Sequence, residues 1–186
     1  MKIEQPKLLV ELQNKTAKAK SLLEEFKTYS IEDLNYKANA SEWSILECIE
    51  HLCLYGKFYL PEIENRIITN SYSKQQYFKS GLIGNYFVNI IKASNTKKIK
   101  ATKEMDTTGF KLNKSTINQF LKQLEWLDSL LVKAEKVNLM KVKTSISLTK
   151  LIKLRLGDTL RFLVYHNERH LLQAKRIDIK PKSNKT

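Results

Sequence analysis

The stretch Trp43-Ser44-Ile45-Leu46-Glu47-Cys48-Ile49-Glu50-His51-Leu52 carries both the start of a helix and the beginning of its buried face. Ser44 and Glu47 have the S-x-x-E spacing of a capping box, in which the hydroxyl accepts from the N3 backbone N–H and the carboxylate reaches back to the cap. Trp43 and Cys48 stand where a hydrophobic staple would close over that turn. Beyond it, Ile45, Ile49, Leu52, Tyr55, Tyr59, Ile63 and Ile67 recur at steps of three and four, the period of an amphipathic helix. Pro61 interrupts the run and predicts a kink or an early end.

Three further segments repeat this pattern. Residues 5–26 place Leu8, Leu12, Thr16, Ala19, Leu23 and Phe26 on one face, and Pro6 is tolerated there because a first-turn N–H has no intrahelical partner. From Ser115, the residues Ile117, Phe120, Leu121, Leu124, Leu127 and Leu131 form another apolar stripe. After an irregular stretch over 137–154, Gly157 and Asp158 supply a break and a cap, and a last helix is expected from Thr159 to about Ile177. Residues 70–112 read as a long connection with one short helix, and connections of that length inside a domain usually cover or shape a site. Four amphipathic segments without strand alternation predict an all-α four-helix bundle, with the long connection between helices two and three. A chain of 186 residues that is 42% apolar fits a single domain over 1–186, with a core at about 5–179 and a flexible basic tail at 180–186.

Composition excludes several classes. Residues 1–15 never build the apolar stretch of a secretory signal. The most apolar window, residues 82–91, is far short of the roughly 20 residues that span a bilayer. Cys48 and Cys53, five apart in a helix, point to different faces and lack a CxxC partner, so both are expected to be reduced and buried in a cytoplasmic protein. The formal charge of +14 would suit a nucleic-acid surface. However, the lysines are spread over every segment, with modest clusters such as Lys97, Lys98, Lys100 and Lys103, and without interleaved aromatics, so a solvated surface is the reading adopted.

The chemistry rests on the only three histidines, His51, His166 and His170. His166 and His170, four apart, lie one helical turn from each other on one face, a spacing that suits chelation. His51, in the middle of helix two, is the single remaining imidazole that could complete a set. Three protein ligands with a vacant fourth position are the pattern of catalytic metal sites, whereas structural zinc is usually closed by four ligands. The plainer alternative is an accidental surface pair or two satisfied core residues. The string His166-Asn167-Glu168-Arg169-His170 is not H-E-x-x-H, and Glu168, about 200° around the helix from His166, points away from the histidine face. Gln173, Tyr55 and Glu47 are candidate supporting or substrate-contacting residues: Gln173 follows His170 by one turn, Tyr55 follows His51, and Glu47 precedes it. For Tyr55 and Glu47 the competing readings are an ordinary core tyrosine and a capping carboxylate.

Two blocks resemble the DinB superfamily. They are Trp43 through Leu52, similar to its helix-two signature, and Gly157 to Gln173, in which His166, Arg169, His170 and Gln173 reproduce its H-x-x-R-H-x-x-Q pattern. The resemblance extends from about Gln5 to Ile179. It implies a DinB/YfiT-like four-helix bundle with a crossed connection, commonly a homodimer, with a divalent metal on His51, His166 and His170. It also implies metal-dependent chemistry on a small molecule, since the family includes thiol-dependent S-transferases and proteins labelled metal-dependent hydrolases. Zinc or nickel is expected first, with iron or manganese as further options, and a low-molecular-weight thiol is a possible cosubstrate. Competing expectations are a non-catalytic basic protein that binds DNA or RNA or acts in stress, and a dimeric scaffold with a structural metal.

Overall fold

Backbone hydrogen bonding in the computed structural model, which describes residues 1–95 and 100–177, is mostly helical. Lys97 and Lys98 and the expected tail at 180–186 lie outside the described residues. Four long helices carry the fold: α1 (Gln5–Lys27), α3 (Ile45–Ile68), α5 (Ser115–Ala134) and α6 (Leu156–Lys175). Between α1 and α3 lies α2 (Ile31–Leu34), started by the Ser30 hydroxyl accepting from the Asp33 N–H, and between α3 and α5 lies α4 (Leu82–Ile91). Helices α1 and α3 each pack against both α5 and α6, so the apolar stripes read from the sequence face a shared core.

The helix starts follow their local chemistry. At α3 the capping box is complete, with the Ser44 hydroxyl accepting from the Glu47 N–H and the Glu47 carboxylate accepting from the Ser44 N–H at 2.7 Å. Pro61 lies inside α3, which continues to Ile68, so the proline does not end the helix early. The six residues assigned to the inner face of α1 are all buried, and so are both free cysteines. Burial pushes the Cys48 thiol up to about 12 and raises that of Cys53 as well, which keeps both protonated.

Two expectations are corrected. The chain is not free of strands: β1 (Lys2–Glu4) pairs antiparallel with β2 (Tyr77–Lys79), and β3 (Lys143–Ile146) pairs with β4 (Thr149–Arg155) where an irregular stretch was expected. A break in register between Ser145 and Ile146 disrupts the period-2 alternation that would have revealed the second pair. Nor does Asp158 cap its own helix. Helix α6 already begins at Leu156, with Arg155 at its cap, and the fully buried Asp158 turns its carboxylate to the Gly81 N–H at the start of α4, 2.8 Å away. Gly157 is likewise no break but a point of close approach, since a Cβ there would lie 2.5 Å from the Phe78 ring. At its other end, α4 is held by Arg169, whose Nη1 donates to the carbonyls of Lys92 at 3.2 Å and Asn95 at 2.8 Å. Helix α6 therefore grips α4 at both ends while its other face carries the histidines.

Candidate metal centre

His51 reaches the site from the second turn of α3, and His166 and His170 reach it from successive turns of α6. One ring nitrogen from each of the three lies within 4.8 Å of the others. The Nε2 atoms of His51 and His166 are 3.3 Å apart. Two nitrogens bound to one tetrahedral zinc at about 2.0–2.1 Å would be separated by about 3.3 Å, so this pair already has the spacing of two ligands on one ion.

The outer edge of the His51 ring fixes where its proton sits, and His170 has a polar partner at the same edge. The Nδ1 of His51 is 2.7 Å from the Met105 carbonyl oxygen, which can only accept, so Nδ1 carries the proton and Nε2 presents its lone pair inward. At His170, Nδ1 lies 3.0 Å from the Gln173 amide oxygen, an acceptor that suits the same tautomer. A ring N–H donated to a carbonyl, with the other nitrogen bare, is the usual arrangement of a metal-bound imidazole. His166 differs: its Nδ1 is buried without a hydrogen-bond partner among the described residues.

Aromatic rings enclose the cluster. Phe162 stacks almost parallel on His166 at 5.5 Å, and the Tyr55 centroid is 4.2 Å from the same ring. Trp43, half-buried, lies 4.7 Å from His51 and 5.7 Å from His170, forming a wall on the more open side. In this setting all three imidazoles are held below their ordinary range, chiefly by burial, and His166 well below it. For His170 the value falls to about 3, with His51 as the next cause. Neutral imidazoles need lose no proton before accepting a cation at neutral pH.

That neutrality has a stability consequence. With folded values below the unfolded value of about 6.5, stability is complete above pH 6.5. It declines as pH falls, for His170 down to about 3. A buried ring held neutral while its unfolded counterpart is charged costs about 1.4 kcal/mol per pH unit. Thermal unfolding of metal-free protein should therefore show a midpoint that falls steadily from about pH 6.5 to about pH 4.5. A flat profile across that interval would contradict the burial of the rings.

The other candidate residues fall at different distances from the cluster. Gln173 bonds His170 directly and Tyr55 packs on His166. Glu47 faces the cap instead: its carboxylate accepts from Ser44 N, from Gly109 N at 2.6 Å and from Lys37 Nζ at 3.0 Å. Glu168 pairs with Lys15 at 2.7 Å, turned from the histidines as its helical phase requires. Sequence reasoning gave no part to Met105, Thr107 or Phe162. For Phe162 a signal existed in its i, i+4 relation to His166. For the other two the only hint was that a long connection usually shapes a site.

A mostly helical chain in which three imidazoles, two buried and one half-buried, converge from two helices defines a helical protein equipped for a histidine-ligated metal. The chain belongs to the DinB superfamily, whose sequence profile matches residues 15–174, a span that contains all three histidines. Neither the curated proteins nor the solved structures compared with it give a match.

Proposed function

We propose that this chain is a metal-dependent enzyme acting on a small molecule, with a divalent cation held by the Nε2 atoms of His51, His166 and His170. In this reading α1, α3, α5 and α6 form a four-helix bundle of the DinB/YfiT-like type, which functions as a homodimer. The observation that carries the proposal is the approach of one ring nitrogen from each histidine to within 4.8 Å of the others, with the Nδ1–H of His51 directed outward at the Met105 carbonyl. Zinc and nickel suit neutral imidazoles best here, ahead of iron and manganese.

A divalent cation with three protein ligands supplies Lewis acidity that lowers the pKa of a thiol or water in its remaining position. The protein's part is positioning and exclusion. Gln173 orients His170, Phe162 and Tyr55 keep water from His166, and Trp43 offers a flat apolar wall to an incoming substrate. Glu47 and Glu168 are engaged with the cap and with Lys15, and Glu50, next to His51 in sequence, faces Lys57 at 4.0 Å, so none of the three serves as the base that hydrolysis needs. This favours transfer to a low-molecular-weight thiol over hydrolysis.

The test uses untagged protein. Elemental analysis should find close to one divalent metal per chain, and the loaded protein should consume a thiol in proportion to an alkyl electrophile. Turnover that proceeds equally without thiol would reject the transferase version, and absence of any bound divalent metal would reject the whole reading.

A further inference from the structure

We propose that residues 105–109 act as a clamp that sets the tautomer of His51, with Thr107 as its positioning residue; this rests on the metal reading of the same site. The clamp grips one turn of α3 from two sides. The buried Thr107 hydroxyl donates to the Glu47 carbonyl at 2.8 Å, the same carbonyl that accepts the backbone N–H of His51 one turn later in the helix. Two residues before Thr107, the Met105 carbonyl accepts from His51 Nδ1. Two residues after it, the Gly109 N–H donates to the Glu47 carboxylate, and the backbone there takes φ +80°, a conformation that favours glycine.

The same segment also holds the wall of the site. Trp43 Nε1 donates to Thr108 Oγ1 at 2.9 Å, while the Thr108 N–H and hydroxyl both donate to Asp106 at 3.0 and 2.7 Å. The Asp106 carboxyl is held below its usual range, first by the Thr108 hydroxyl. One short segment therefore controls the proton of one candidate ligand and the indole lying over two of them. An imidazole without a fixed acceptor distributes its proton over both nitrogens, and protonation at Nε2 would blunt it as a ligand. Thr107 touches no metal position. It acts through the register it imposes on the Met105 carbonyl.

Thr107→Val removes the hydroxyl and keeps the branched shape, while the Glu47 carbonyl retains its helical bond. We expect affinity for Zn(II) or Co(II), measured by chelator competition, to weaken about ten- to hundredfold. Ring-nitrogen NMR of the metal-free variant should show His51 shared between tautomers, and Thr107→Ser should restore both readouts. Affinity within twofold of the parent, with His51 still protonated at Nδ1, overturns the proposal. So does an Nε2–H tautomer at His51 in the unsubstituted metal-free chain, a measurement that stands even if the variant fails to fold. Should the parent bind no divalent metal while Thr107→Val still redistributes the His51 proton, the clamp stands and the metal reading alone falls.

Discussion

His166→Leu is expected to weaken divalent-metal binding by at least two decades while leaving the unfolding free energy of the metal-free chain within about 1 kcal/mol of the parent. The first half follows from ligand number. Structural zinc sites bind with about 10–16 kcal/mol shared among four ligands, so one lost nitrogen removes about 3 kcal/mol, a little over two decades in Kd. The second half follows from the surroundings. His166 is buried against Phe162 and Tyr55, with Nδ1 unpartnered among the described residues and Nε2 facing a second imidazole. A leucine of similar size relieves the unpaired Nδ1, which offsets the lost N···N contact with His51. A residue kept where an apolar side chain would serve stability equally well is one retained for binding. Chelator competition gives the first quantity and urea unfolding in chelator gives the second. A loss of stability well above 2 kcal/mol, with metal affinity preserved, would make His166 a core residue and remove the basis for a metal centre. His170→Ala provides the control, because its half-buried ring can be truncated with little cavity cost while the ligand is still lost.

How far the sequence anticipates this site depends on the range over which each interaction acts. The α3 start was legible because Ser44 and Glu47 are three residues apart and the capping box is closed within one turn. The His166 and His170 pair was legible for the same reason. His51 could join them only by elimination, as the one imidazole left, because nothing local to it reports the packing of α3 on α6. The local β3–β4 hairpin was hidden by its register break, whereas the first strand pair escaped reading because its signal is not local. β1 and β2 are three residues each, and Ile3 faces Phe78 across most of the first half of the chain. The start of α6 was misplaced for an instructive reason. Gly157 and Asp158 have the composition of a helix boundary, yet Gly157 serves the approach of Phe78 and Asp158 serves another helix. The Met105 carbonyl could not have been found at all, since a backbone acceptor leaves no mark in residue type.

Asp158→Asn is expected to destabilise the fold by about 3 kcal/mol or more, the largest stability effect of any single substitution considered, although Asp158 lies away from the histidines. Asp158 and Arg161 are 0% and 1% exposed and meet at 3.1 Å. Removing one charge from a buried pair strands the other, at about 3–5 kcal/mol, whereas replacing both with neutral groups costs far less. The aspartate also accepts from the Ser80 hydroxyl and the Gly81 N–H, and Arg161 Nη1 donates to Ser80 Oγ at 2.8 Å, so the pair joins α6 to the entry of α4. A Cβ at Gly84 would lie 2.5 Å from the Asp158 side chain, so the two helices approach as closely as glycine allows. A double-mutant cycle of Asp158→Asn and Arg161→Met, followed by urea unfolding, should show strong non-additivity, with the double variant more stable than the sum of the single losses implies. Because Arg169 ties the far end of α4 to the helix that carries His166 and His170, amide exchange in α4 should accelerate most in the Asp158→Asn chain. Metal affinity should fall only modestly if the His51 clamp remains closed. Additive losses in the cycle would mean that Ser80 and Gly81, and not the buried charge pair, hold α4 in place.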